Sequence, residues 1–283
     1  MRILIIGANG LLGRDLVDAW RGDDIIPATS RDADIRNIEQ VRRLTTREHP
    51  DWIVLTAGYT DVDGSERNPD QAFAVNRDGT RNVSLVAREL SAKLCYLSTD
   101  YVFDGAAVRP YEPDAPVHPL NVYGASKAAG EKAVQEFAGH WLIARTSWLF
   151  GSARASFPEI ILLAADSQPE LRVVVDQVGS PTYTRDLAQA IRELIRADAN
   201  GILNITNSGS CSWFEFAKEI VRRAGRNTPV RSITSAEAGR PAKRPAYSVL
   251  SPTALSLHGI AMRHWQEALD AYLVELRRRR DFN

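Results

Sequence analysis

The sequence predicts an α/β fold, a doubly wound parallel sheet with helices on both faces and a smaller C-terminal lobe. Three observations carry that reading. In the first half, short β-branched apolar runs alternate with stretches of helical periodicity. A glycine-spaced turn, Gly7-Ala-Asn-Gly10-Leu-Leu-Gly13, follows directly on the first apolar run. Beyond about residue 151 the rhythm loosens, so residues 1–150 form the sheet domain, with later segments returning to it, and 151–283 mainly the lobe.

Ile3 to Ile6 makes the first strand and Leu11 to Trp20 the first helix. Ile25 to Ala28 is the second strand, and Ile38, Val41 and Leu44 recur at helical spacing after it. Trp52 to Thr56, a helix around Arg77 to Leu90, Lys93 to Ser98, a helix near Val122 to Phe137 and Trp141 to Thr146 continue the alternation. In the second half, helices fall near Phe157 to Ala165 and Arg185 to Arg196, and strands at Leu171 to Val175 and Ile202 to Ile205. Ser212 and Glu215 have the spacing of a capping box for a helix reaching Ala224, and the last helix runs from about Trp265 to Arg278. No internal repeat is present.

At 283 residues the chain can bury a sizeable core without staples. Lys plus Arg equals Asp plus Glu at 35 each, so no global field draws it to nucleic acid or to a membrane surface. The N-terminal apolar stretch is too short for a signal peptide, and no run approaches a membrane span. Cys95 and Cys211 lack metal-ligand spacing and read as buried free thiols, which suits a cytoplasmic location. His49, His118, His140, His258 and His264 show no ligand pattern, so no metal is expected. The run Arg277 to Arg280 ends an amphipathic helix, where cations complement the dipole.

A glycine turn between a strand and a helix lets backbone amides and the helix dipole receive a pyrophosphate, which makes this a Rossmann-type, dinucleotide-binding arrangement. Gly7, Asn9, Gly10, Leu11, Leu12 and Gly13 are the candidate contacts. The second strand ends in Thr29-Ser30-Arg31, without the carboxylate that usually receives a ribose 2′-hydroxyl. Ser30 and Arg31 suit a 2′-phosphate, so NADPH is expected over NADH, and the nearby Asp32 keeps NADH open. Asp34 and Ile35 are placed toward the adenine, Ala57, Gly58 and Tyr59 beside the cofactor, and Asn76 in support.

Tyr123 and Lys127 lie on one face of the Val122 to Phe137 helix. A cation beside a phenol stabilises the phenolate and brings its pKa toward the range where acid catalysis is efficient. Ser98-Thr99-Asp100-Tyr101-Val-Phe-Asp-Gly105 begins where the fourth strand ends, on the edge where open α/β sheets bind ligands.

With Thr99 added to the pair, the sequence resembles the extended short-chain dehydrogenase/reductase family. Within it, Ser98 to Phe103, Pro119 to Gly124, Arg145-Thr-Ser-Trp148, Asp176 to Thr182 and Arg244-Pro245 resemble the dTDP-4-dehydrorhamnose reductases. The likeness covers about residues 3–250. It implies that Thr99, Tyr123 and Lys127 are the catalytic triad, with Tyr123 and Lys127 also at the cofactor and Lys127 on the nicotinamide ribose. It further implies that Asp100 accepts sugar hydroxyls, that Trp148 offers an apolar face to a deoxysugar, and that Thr60, Val62 and Tyr101 lie at the pocket mouth. Arg244 would pair with the pyrophosphate of a dTDP-linked sugar. The implied reaction is NADPH-dependent reduction of a C4 ketone on that sugar. Another dTDP-deoxysugar as substrate, and a non-catalytic NADP-binding regulatory subunit, remain the alternatives. A homodimer is open, but the basic tail argues against a metal-linked one.

Overall fold

The computed structural model describes residues 1–281. In chain order the first half reads β1 (Arg2–Ile6), α1 (Leu11–Ala19), β2 (Asp24–Ala28), α2 (Ile38–Glu48), β3 (Trp52–Leu55), α3 (Val62–Arg67) and α4 (Pro69–Phe73). A π-helical turn at Ala74–Gly79 leads into α5 (Thr80–Glu89), followed by β4 (Lys93–Thr99), α6 (Val122–Phe137) and β5 (Trp141–Thr146). The second half adds β6 (Leu149–Phe150), α7 (Phe157–Ser167), β7 (Leu171–Val174), β8 (Val178–Gly179), β9 (Thr182–Tyr183) and α8 (Thr184–Arg196). Then come β10 (Gly201–Asn204), β11 (Cys211–Ser212), α9 (Trp213–Arg223), β12 (Val230–Ile233), short helices at Ser235–Ala238 and Thr253–Ser256, and a last helix, Trp265–Asp281.

Six parallel strands form the central sheet in the order β10-β5-β4-β3-β1-β2. Alternation along each strand sends side chains to two cores. Ile3, Ile5, Trp52, Val54, Cys95 and Leu97 meet Leu12 and Leu16 of α1 and Leu187 and Ile191 of α8. Leu4, Ile6, Ile53, Leu55, Leu94 and Tyr96 face Val41 of α2, Val83 of α5 and Val134 of α6. The chain turns in opposite directions after β1 and after β3, so a crevice opens at the carboxyl ends of those two strands.

α8 and β10, although late in sequence, belong to this sheet layer, and β10 pairs with β5. A separate core joins α7, α9 and the last helix through Phe150, Ile161, Phe216, Trp265 and Tyr272. The capping box of Ser212 and Glu215 opens α9 as its spacing requires. The short pairs β6-β9 and β8-β11, and the strand β12 paired with β7, carry too few apolar residues for periodicity to reveal. The helix expected from Arg77 to Leu90 begins earlier, at Pro69, and widens to a π-turn at Ala74–Gly79. Such turns recur at functional positions, and this one holds Asn76.

Candidate active site

The glycine turn is built for close backbone approach. Gly7 has φ +97°, and a Cβ there would stand 2.5 Å from the Ala57 nitrogen. A Cβ at Gly13 would stand 2.2 Å from the Gly7 oxygen, so only glycine lets α1 start this near β1. Gly10 caps α1 without any side-chain hydrogen bond, which leaves the first-turn amides of Leu11, Leu12 and Gly13 free for an anion. Asn9 is exposed beside them.

Past β2, Ser30 and Arg31 are exposed. Asp32 is folded back: its Oδ2 accepts from the Thr29 nitrogen at 2.8 Å and the Thr29 hydroxyl at 2.9 Å, which holds its pKa below the usual carboxylate value. A cation and a hydroxyl are thus offered where an acid would select NADH. Asp34 forms a bidentate pair with Arg36, and Ile35 packs into the core, where a Cβ on Gly79 would meet its Cδ1 at 2.7 Å.

Across the crevice, Asn76 fixes the loop after β3. Its Oδ1 accepts from the Tyr59 nitrogen at 2.9 Å, and its Nδ2 donates to the Tyr59 oxygen at 3.0 Å and to Ser126 Oγ of α6 at 2.9 Å. That clamp places Ala57, Gly58 and Tyr59 against α6; a Cβ on Gly58 would lie 4.0 Å from Lys127 Nζ. Thr60 is exposed and Val62 half-buried at the start of α3.

Asn121 caps α6 by accepting from the Gly124 nitrogen at 2.7 Å, and its Nδ2 donates to the Lys243 oxygen at 2.8 Å. A Cβ on Gly124 would stand 2.1 Å from the Tyr101 oxygen, so α6 is seated directly on the turn after β4. Thr99, Tyr123 and Lys127 converge there. The Thr99 hydroxyl donates to Asp100 Oδ1 at 3.0 Å and accepts from the Tyr101 nitrogen at 3.2 Å. Tyr101 meets the Tyr123 ring edge-on at 5.6 Å.

The electrostatics differ from the expectation of a phenol tuned by its neighbour. Lys127 Nζ donates to the Leu97 oxygen at 2.6 Å and lies 4.1 Å from the centre of the Tyr96 ring. Burial lowers its pKa from 10.5 to about 7, with Glu131 opposing. Tyr123 is pushed up to about 12 by burial, with the Thr99 hydroxyl working the other way and Asp100 adding to the rise. The pair therefore consists of a protonated phenol and an ammonium poised near neutrality.

Three substrate-side expectations change in form. Asp100 is 1% exposed, and its two oxygens are taken by Thr99 and, at 2.6 Å, by Ser248 Oγ. Burial raises its pKa to about 6. It orients Thr99 from behind and presents no free edge to a sugar. Trp148 stacks on Trp213 with centroids 3.6 Å apart, while a Cβ on Gly179 would meet its Cε2 at 2.5 Å. Trp213 covers one indole face, and Gly179 packs against the Cε2–Nε1 side of the ring. Arg244 is paired with Asp63 of α3 through bonds of 3.1 and 3.0 Å, drawing the Asp63 pKa down to about 2.

Ser248, Trp213, Gly179, Asp63 and Glu131 are the surrounding residues that sequence reasoning passed over. Gly179 stood inside the Asp176 to Thr182 stretch, and Glu131 stood one helical turn beyond Lys127. Ser248, Trp213 and Asp63 carry no local signal. Cys95 and Cys211 are buried free thiols, with Cys95 pushed up to about 12 by burial. Among the described residues no cluster of His, Cys, Asp and Glu could hold a metal, and no helix is long and apolar enough to cross a membrane.

Comparison with known proteins adds the following. The family described as RmlD substrate binding domain matches residues 1–278. The spore coat polysaccharide biosynthesis protein SpsK of Bacillus subtilis is 40% identical over 276 residues, 97% of each chain. The dTDP-4-keto-6-deoxy-D-glucose reductase of Streptomyces niveus is 38% identical over 273 residues, 95% of each chain. A crystal structure of dTDP-4-dehydrorhamnose reductase from Bacillus anthracis, in complex with NADP, superposes with a TM-score of 0.95 at 40% identity, covering 97% of this chain and 99% of that one. Agreement of this depth, across both the sheet and the lobe, reaches far beyond a shared glycine turn: the chain belongs to the RmlD substrate binding domain family, that of the dTDP-4-dehydrorhamnose reductases.

Proposed function

We propose that the protein uses NADPH to reduce the C4 ketone of dTDP-4-dehydro-β-L-rhamnose, giving dTDP-L-rhamnose in the last step of dTDP-rhamnose synthesis. The convergence of Thr99, Tyr123 and Lys127 beside the glycine turn carries this reading. The residues present fit the cofactor: the uncapped α1 amides and the Gly7 and Gly13 cradle suit the pyrophosphate, and Ser30 and Arg31 suit the 2′-phosphate. When bound, NADPH supplies the hydride.

The remaining chemistry belongs to the chain. Tyr123, protonated throughout the neutral range, gives its proton to the developing alkoxide. Thr99, turning its hydroxyl proton from Asp100, bonds the same oxygen, and the Lys127 ammonium adds positive potential in a water-poor site. Trp148 and Trp213 make an apolar wall for the methyl-bearing side of a 6-deoxysugar. Arg244 turns toward the dTDP pyrophosphate from its pairing with Asp63. A cytoplasmic enzyme, monomeric or homodimeric, completes the reading.

The Streptomyces niveus relative favours a second reading, reduction of another dTDP-4-keto-6-deoxysugar. Following NADPH absorbance with dTDP-4-dehydro-β-L-rhamnose generated in situ, and separately with dTDP-4-keto-6-deoxy-D-glucose, decides between them. Higher kcat/KM on the first supports the proposal, and higher kcat/KM on the second selects the alternative. NADPH binding without oxidation of it by either sugar points to a regulatory subunit.

A further inference from the structure

Arg145 opens the Arg-Thr-Ser-Trp stretch, yet the reaction just described gives it no task. It stands 2% exposed at the end of β5. Its guanidinium forms a bidentate pair with Glu131 at 2.9 and 2.7 Å, donates to the Pro113 oxygen at 2.8 Å and lies over the Phe103 ring at 5.1 Å. Glu131 is equally buried and also accepts from Ser98 Oγ. A buried ion pair is a poor way to gain stability, because desolvation cancels most of the attraction and apolar residues of similar volume serve as well.

Its surroundings suggest what it does. Glu131 follows Lys127 by one turn on α6, so both project toward β4. Ser98, the partner of Glu131, lies between Leu97, whose oxygen receives Lys127 Nζ, and Thr99. We propose that Glu131, held by Arg145 and Ser98, is a positioning residue of the reductase: its carboxylate favours the charged form of Lys127 and fixes the strand end that carries Leu97 and Thr99. The catalytic consequence rests on the reductase reading; the coupling between Glu131 and Lys127 does not.

The other groups around Lys127 leave this task to Glu131. Tyr123 on the same helix and Tyr96 on β4 are phenols held protonated by burial, and Asn76 is neutral. Asp100, in the turn after β4, is engaged by Thr99 and Ser248. Glu66 of α3 meets α6 at the Val122 nitrogen and Arg81 of α5 lies over Phe137, at opposite ends of the helix. Arg145 of β5 reaches α6 through Glu131.

NMR of the full chain with isotope-labelled lysine reads the Lys127 titration directly, without substrate or cofactor. In Glu131→Gln the midpoint should fall by about one pH unit, a tenfold loss of ammonium relative to amine. The double variant Glu131→Gln/Arg145→Gln removes both charges while keeping an amide pair, and should give a smaller fall in the same direction. With the keto-sugar, the Glu131→Gln deficit in kcat should widen as pH rises, shrink to about twofold near pH 6 and close toward pH 5; a merely structural defect would lower kcat equally at every pH. An unchanged midpoint in a folded variant overturns the proposal, as does failure of both variants to fold by circular dichroism, which would make Glu131 a structural residue. If the midpoint falls but the wild type does not turn over the keto-sugar, the coupling stands and the assigned reaction falls.

Discussion

Trp148 and Trp213 stack face to face, their ring centroids 3.6 Å apart and their planes 6° from parallel. Trp148 reaches this position with φ +48°, a left-handed conformation that costs a bulky residue on the order of 1–3 kcal/mol. Strain of this kind persists where the surroundings over-determine it, and here Trp213 covers one face while Gly179 packs against the Cε2–Nε1 side of the ring. Gly179→Ala would drive a methyl into the indole and tilt it. The expected result is a rise of about tenfold or more in KM for the keto-sugar, with NADPH affinity unchanged; steady-state kinetics and fluorescence titration report the two separately.

Tyr123 is the proton donor in the proposed reaction, and its pKa of about 12 keeps it protonated at working pH. Tyr123→Phe removes the proton and keeps the ring that packs against Tyr101. Turnover should drop roughly 10²- to 10⁴-fold while NADPH still binds. Near-wild-type turnover would remove Tyr123 from the mechanism.

The pH profile should be set by Lys127 on its alkaline side. Its pKa is lowered from 10.5 to about 7, so the ammonium, and with it kcat, is lost as pH rises through neutrality. Stability runs the other way. Between about 7 and 10.5 the unfolded chain holds the proton that the folded chain releases, so this residue makes folding more favourable as pH rises across that window. Rates at saturating NADPH from pH 5.5 to 9 check the first statement, and denaturant unfolding over pH 7 to 10 the second.

Asp63 and Arg244 join α3 to the segment that crosses the site, and both are largely buried. Asp63→Asn should lower Tm by roughly 3–10 °C, the effect of losing a charge-assisted pair in a protein of this size. The Asp63 pKa is depressed from 3.8 to about 2, so its contribution is present above pH 4 and disappears as pH falls toward 2. Thermal melts of both proteins should therefore converge in acid. A constant difference would contradict the pairing.

Cofactor preference is assigned to Ser30 and Arg31, with Asp32 withdrawn into its own turn. Arg31→Ala should weaken NADPH binding by about 10- to 100-fold, the range of a charge-assisted phosphate bond, and leave NADH nearly unaffected. Equal losses for both cofactors would place the 2′-phosphate elsewhere.

Much of the sheet layer was legible because its signals are local. β1 to β5, α1, α2 and α6 follow from runs and periodicities of a few residues, and Tyr123 and Lys127 read as a phenol and an amine on one helical face. The lobe was less legible: β8, β9 and β11 have two residues each, too short for alternation to register. Asp100, Trp148 and Arg244 were marked by their motifs, but the occupants of their polar and aromatic faces were not.

The sequence by itself determined the parallel sheet, the glycine turn that opens α1, the absence of an acid at the tip of β2 and the pairing of Tyr123 with Lys127 on one helix. Each depends on residues within a turn or a strand of one another, where covalent spacing already dictates geometry. Only the tertiary structure decided where the charges go. It carried Lys127 to the carbonyl of Leu97 thirty residues away, Asp100 to Ser248, and Arg244 to Asp63 across 181 positions of chain. These contacts arise because burial strips water from polar groups and each must then find whichever partner the packing brings within reach.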